Sequence, residues 1–242
     1  MKKLFYVLIF FSLSFSDELL CDFFKENNLS GVFIAFDGKE YKSNDFIRAR
    51  KAFSPASTFK IYNALIALDL GILNDKDEIF YHYKGEKAFL KIWQQDMNLS
   101  SAIKYSNALA FKELARKIGL KNMQKALHKL SYGNEKISKI DSFWLDNALQ
   151  ISAKNQTDLL FNLMSLNLEF SKKAQKEVIQ TLKIKDGLFY KTGFNDVAWV
   201  VGFVKNDKQS FSFALNMDLK DFEKLYLREL LLDKYLEIFI KN

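Results

Sequence analysis

S-P-A-S-T-F-K, Ser54 to Lys60, runs directly into the apolar stretch I-Y-N-A-L-I-A-L-D-L-G of residues 61–71. Ser54 is a favourable N-cap, Pro55, the only proline, suits the first helical position, and Gly71 suits the residue just past the end. The spacing predicts a helix of about four turns with Ser57 in the first of them. First-turn amide hydrogens are unpaired and the helix dipole is positive there, so an oxyanion developing beside Ser57 would be stabilised. Lys60, three residues on, projects from the same face as the Ser57 hydroxyl, within reach of its proton. Beyond Lys60 the helix is apolar on nearly every side and reads as a central buried element. Desolvation at its head favours a neutral amine over a cation.

Taken alone, S-x-x-K carries little. The chain is rich in serine and lysine, Ser101 with Lys104 supplies a second copy, and a capped helix with a solvated lysine satisfies the same pattern.

Working outward, residues 31–41 (G-V-F-I-A-F-D-G-K-E-Y) form an apolar run, an Asp37-Gly38 turn and a return, the pattern of a hairpin. Helical periodicity dominates the middle of the chain: residues 100–118 closing at Gly119, then 122–130, 157–164 and 172–182. Strands return at 188–192, 198–204 and 210–217, separated by residues 193–196 and 206–208, as an antiparallel meander. A closing helix over 222–240 has apolar spacing suited to lying on that sheet. The fold class is therefore α+β: an antiparallel sheet built from both chain ends, flanked by helices, with an inserted all-helical lobe.

Composition is consistent with a sizeable core, since 49% of the 242 residues are hydrophobic and 27% charged. Residues 1–16 have a basic start (Lys2, Lys3), a short apolar run and a Ser14-Phe15-Ser16 cleavage pattern, which reads as a secretory signal peptide. That leaves residues 17–242 as one domain, without stable membrane insertion, because the apolar run is too short to span a bilayer. The formal charge is +7, and +5 once Lys2 and Lys3 are removed, which suits work among anionic polymers or on anionic small molecules. The lysines are scattered and do not interleave with aromatics, so nucleic acid is not an expected partner. The single cysteine, Cys21, excludes an intramolecular disulfide and reads as an inert buried thiol, since bulky Leu20 before it disfavours lipidation.

Lys191-Thr192-Gly193 closes a strand of the meander. By itself it reads as a charged edge strand ending in a turn. Opposite the Ser57 helix, it places a lysine, a hydroxyl and a glycine permitting close backbone approach along one cleft. Tyr105-Ser106-Asn107 falls at the head of the helix leading into F-K-E-L-A-R-K-I-G, and Tyr132-Gly133-Asn134 precedes D-S-F-W-L-D at 141–146. Four motifs in this order resemble those of the serine β-lactamases and penicillin-binding proteins, and most of all the class D (oxacillinase-type) β-lactamases. The resemblance runs from about Ser54 to the C-terminus and implies the fold already read, with the site between the two lobes.

Carried over to these residues, the resemblance implies a periplasmic hydrolase of β-lactam antibiotics that confers resistance. Ser57 would be the acylated nucleophile. Lys60 would be carboxylated by carbon dioxide and serve as general base, with no other cofactor and no metal. Trp144 would hold the carbamate, Ser106 would relay a proton to the leaving nitrogen, and Lys191 would support that transfer. The backbone hydrogens of Ser57 and Phe194, next to Gly193, would form an oxyanion hole, while Thr192 and Arg228 would hold the substrate carboxylate. His82 and His128, the only histidines, stand in no recognisable triad context and are read as simple surface or core-packing residues. One departure is Ala108, where the family usually carries valine. It removes a branched side chain beside the carbamate and implies activity that responds to bicarbonate. The competing readings are a penicillin sensor that is acylated but not turned over, a cell-wall transpeptidase, and an inactive envelope protein.

Overall fold

In the computed structural model, which describes residues 17–219 and 221–240, strands from both ends of the chain meet in one seven-stranded sheet. The predicted leader, residues 1–16, lies outside the described residues. The strands are β1 (Asp17–Leu19), β2 (Gly31–Phe36), β3 (Tyr41–Ser43), β4 (Lys183–Lys185), β5 (Leu188–Phe194), β6 (Val197–Lys205) and β7 (Ser210–Asp218). Their spatial order is β1-β3-β2-β7-β6-β5-β4. Antiparallel pairing of β2 with β7, from Gly31↔Met217 to Phe36↔Ser212, joins the two halves of the chain. The predicted hairpin is present: Asp37 Oδ1 accepts from the amides of Lys39 and Glu40, and Gly38 takes φ +95° at the turn. β1 was not anticipated; at three residues it is too short to show a period, and it pairs in parallel with β3.

Side-chain alternation gives the sheet two buried faces. Val32, Ile34, Trp199, Val201, Phe203 and Ala214 point to the face covered by the helical region. Phe33, Ala35, Ala198, Val200, Phe213 and Leu215 point the other way, onto Leu231, Leu232, Tyr235 and Leu236. Each large apolar side chain buried in this way is worth about 1.5–3 kcal/mol.

The helices that matter to the site are α1 (Lys60–Asp69), α2 (Leu99–Lys104), α3 (Ala108–Ile118), α4 (Leu120–Leu130), α5 (Ala153–Met164), α6 (Lys172–Thr181) and α7 (Leu227–Ile240). All residues of α1 from Lys60 to Leu68 are buried, as the apolar run predicts, and the helix packs against α3 and α6. α5 covers β2, β6 and β7 on the same side, while α7 closes the opposite face. No helix among the described residues is long and apolar enough to cross a membrane.

Three boundaries and one burial depart from the sequence reading. The helix expected over 100–118 is two helices, broken at Tyr105–Asn107. Asn107 caps α3 by accepting from the amides of Leu109 and Ala110, and Ser106 turns left-handed at φ +53°. β5 continues through Gly193 and Phe194, so the turn to β6 narrows to Asn195-Asp196. α7 begins at Leu227 behind a 3-10 turn, Phe222–Lys224, because Asp221 caps that turn first. Cys21 is exposed, contrary to expectation, since Leu20 is the neighbour that enters the core.

Candidate active site

The nucleophile candidate sits on a tighter turn than the sequence predicts. Residues Ala56–Phe59 form a 3-10 turn that feeds α1, and Ser54 does not cap it. Instead the Ser54 hydroxyl donates to the Trp144 carbonyl at 3.0 Å, while Trp199 Nε1 donates to the Ser54 carbonyl at 2.9 Å. Ser54 thus ties the turn to the segment carrying Trp144 and to the central strand β6. Ala56, directly before Ser57, holds φ +48°, a backbone strain of about 1–3 kcal/mol that the surroundings must sustain. Part of that support is Thr58, whose Oγ1 donates to the Pro55 carbonyl at 2.7 Å and accepts from Gln156 Nε2 at 2.8 Å. No sequence signal pointed to Gln156; it is fully buried and reaches the turn from α5.

Lys60 Nζ and Ser57 Oγ are hydrogen-bonded at 2.6 Å, and Ser106 Oγ lies 3.4 Å from the same amine. The left-handed Ser106 is what the break between α2 and α3 supplies. Lys60 is only 1% exposed, with the Phe111 ring 5.7 Å from its nitrogen. Burial, and then the charge of Lys191, hold its pKa well below the ordinary lysine value. An amine kept neutral in this way can accept the Ser57 proton; an ammonium cannot.

Trp144 is fully buried and stacks on Phe59, the residue before Lys60, with ring centroids 5.7 Å apart and planes 27° apart. Its indole Nε1 is buried with no hydrogen-bond partner among the described residues. An orphaned donor of this kind costs about 1–3 kcal/mol. A small anion on the Lys60 nitrogen would give the indole an acceptor, and in this respect the residues fit a carbamate.

β5 brings the second lysine. Lys191 pairs across from Val201 and so faces the α1 side of the sheet, 5% exposed, with its amine donating to the Thr192 carbonyl at 2.9 Å. Burial first, then the Arg228 charge, bring its pKa down to about 7, with Glu229 opposing. Gly193 sets the approach of strand to turn. A Cβ there would lie 3.1 Å from the Pro55 carbonyl and 3.1 Å from Thr58 Cγ2. The backbone of residues 193 and 194 therefore runs beside the Ser57 turn, with Phe194 opposite Ala198 in the ladder.

Thr192 lines a cavity of about 520 Å³ together with Lys191, Tyr190 and Glu229. The Arg228 side chain is 15% exposed, and its Nε donates to both carboxylate oxygens of Glu229 at 3.1 Å. Glu229 directly follows Arg228, but no sequence signal marks it, because only the fold brings it beside the Lys191 strand. Trp93 also belongs here, since its indole donates to the Tyr105 carbonyl, next to Ser106, at 2.9 Å. Ala108 opens α3 immediately after the Asn107 cap. His82 and His128 lie on the surface against Asp96 and Glu135.

Comparison with known proteins places this arrangement among relatives. Residues 26–187 match the transpeptidase family, described as the penicillin binding protein transpeptidase domain. The sequence is 38% identical over 218 residues to the β-lactamase OXA-48 of Klebsiella pneumoniae, covering 85% of this chain and 82% of that one. The crystal structure of FUS-1 (OXA-85), a class D β-lactamase from Fusobacterium nucleatum subsp. polymorphum, matches with a TM-score of 0.86 and 39% identity, over 89% of this chain and 95% of that one. The regulatory protein BlaR1 of Bacillus licheniformis is 30% identical over 207 residues, which cover 81% of this chain but 34% of BlaR1.

Proposed function

The chain belongs to the class D β-lactamases, and from that premise we propose that it hydrolyses β-lactams through an ester on Ser57, with Lys60 carboxylated on its side-chain nitrogen. The observation that carries the proposal is the Lys60 amine: fully enclosed, held well below its ordinary pKa, and 2.6 Å from Ser57 Oγ. Only a neutral amine adds to carbon dioxide, and this environment favours that form. Bound there, the carbamate would supply the general base for acylation and deacylation. The unpartnered Trp144 indole would donate to it.

The remaining steps fall to the chain's own groups. Ser57 Oγ attacks the lactam carbonyl carbon as its proton leaves, and the backbone hydrogens of Ser57 and Phe194 receive the charge that develops on the carbonyl oxygen. The ring C–N bond breaks, and Ser106, 3.4 Å from Lys60 Nζ, delivers the proton to the departing nitrogen. Lys191 steadies that transfer electrostatically, and Thr192 and Arg228 hold the substrate carboxylate. Water then hydrolyses the ester and frees Ser57. With the leader over residues 1–16 removed, the enzyme would act in the periplasm and confer resistance to these antibiotics.

A second reading has its own observation: the BlaR1 match shows that this fold also serves in a regulatory protein. A domain that is acylated but not regenerated would give one stoichiometric burst with a chromogenic cephalosporin, whereas the proposed enzyme gives continued turnover. For the base, Lys60→Ala should stall as an acyl-enzyme detected by intact mass. Undiminished turnover in that variant removes Lys60 from the role.

A further inference from the structure

We propose that Glu229 sets how strongly the site holds an anionic substrate, by occupying the guanidinium of Arg228 that would otherwise be free for the substrate carboxylate. The proposal rests on the β-lactam reading above and adds to it a residue that determines specificity.

Both side chains belong to the first turn of α7. Arg228 Nε stands 3.1 Å from each carboxylate oxygen of Glu229, so the arginine is already engaged by a carboxylate of the protein itself. The pair forms at the rim of the site, with the Arg228 side chain 15% exposed and that of Glu229 36% exposed. Glu229 also lines the cavity beside Lys191 and Thr192, whose other charged walls are Lys104 and Lys183; it is the only carboxylate among the described residues that line it. Lys183 is itself paired with Asp186 outside the cavity at 2.7 Å.

A substrate carboxylate arriving at Thr192 therefore meets attractive lysines and one repelling anion. Nε is used by Glu229, and the terminal guanidinium nitrogens are the donors left to share. Sharing puts two like charges on one guanidinium at a half-wet position, where the penalty is modest and screened by salt. The effect falls on ground state and transition state alike, because the carboxylate is remote from the bond that breaks. It should therefore appear in KM and leave kcat nearly untouched. A purely structural Glu229, an acid favouring the positive end of a helix, would move neither selectively.

The test compares wild type with Glu229→Gln and Glu229→Ala on a penicillin and on the neutral methyl ester of the same penicillin, with thermal melts to establish that the variants fold. For the anionic substrate, KM should fall about three- to tenfold at low salt, with kcat within about twofold and the gain shrinking as salt rises. KM for the ester should not change. An unchanged or raised KM for the anion overturns the proposal, and so does an equal shift for both substrates. The same contrast can be read from acylation rates by intact mass if turnover is absent. A wild type that is never acylated by penicillin fails the underlying reading, whereas acylation indifferent to Glu229 fails this proposal alone.

Discussion

Replacing Trp144 by phenylalanine separates the indole's packing from its hydrogen bond. The phenyl ring can keep the stack on Phe59, while the N–H, buried and without a partner, disappears. Without carbon dioxide, removing an orphaned donor relieves about 1–3 kcal/mol. The lost ring volume costs a comparable amount, about 1–3 kcal/mol by the usual cavity cost. Stability in carbon-dioxide-free buffer should therefore change by less than about 2 kcal/mol. With carbon dioxide present the balance differs, because a hydrogen bond to an anion is worth about 1.5–3 kcal/mol, a factor of about 10 to 100 in affinity. Trp144→Phe should need that much more bicarbonate for half-maximal turnover, and at saturating bicarbonate much of its activity should return. The assay is initial rate against bicarbonate in degassed buffer, paired with thermal melts. Equal bicarbonate dependence in the variant and wild type would refute the reasoning, because the indole would then have no anion to hold.

The remaining predictions use the strand facing the nucleophile turn. Gly193→Ala introduces a Cβ 3.1 Å from both the Pro55 carbonyl and Thr58 Cγ2. It should shift β5 against the turn by a few tenths of an ångström and lower kcat/KM by about threefold to tenfold, and a variant with wild-type kcat/KM would remove the close approach from the mechanism. Lys191→Met tests the buried amine through stability. The folded protein holds Lys191 near pKa 7 against the ordinary 10.5, so between these values the unfolded chain binds a proton that the folded protein lacks. Stability from this group therefore rises with pH across that window. In carbon-dioxide-free buffer, where Lys60 stays a free amine, melting temperature of wild type relative to Lys191→Met should climb from pH 7 to pH 10, and a flat or falling difference contradicts the depressed pKa.

What could be read from the sequence follows from which interactions are local. The hairpin at Asp37-Gly38 and the three strands of the C-terminal meander announce themselves through period-two alternation and turn residues, so the union of the two chain ends followed. Ser57 and Lys60 were legible because one helical turn fixes their relation, and 3-10 and α geometry differ little over three residues. The break at Ser106 does not show in the apolar spacing, which continues across it, and only the motif Tyr105-Ser106-Asn107 marks a helix head there; the competing factor is the Asn107 side chain, which offers α3 two hydrogen bonds. Ser54 was misread for a related reason. Its hydroxyl had a local use as a cap and a distant one on the Trp144 carbonyl, and the distant one wins. Gln156 on Thr58 depends entirely on tertiary placement, as does the position of the neighbouring Arg228 and Glu229 beside the Lys191 strand.

The two buried lysines form a geometry that would serve both before and after the proposed carboxylation of Lys60. As free amines, Lys60 and Lys191 are enclosed and close enough for the charge of Lys191 to lower the pKa of Lys60, so burial and repulsion both keep Lys60 unprotonated. That is the state in which its nitrogen can react with carbon dioxide. On the proposed modification, the sign of the interaction reverses. A carbamate on Lys60 is an anion beside Lys191, and the proximity that had disfavoured a second cation now favours one. Lys191, poised near pKa 7, would be drawn back toward its protonated form, where it can support proton delivery to the leaving nitrogen. On that proposal the buried pair would need no further acidic side chain to balance its charge, because the carbamate formed from carbon dioxide would supply the counter-ion.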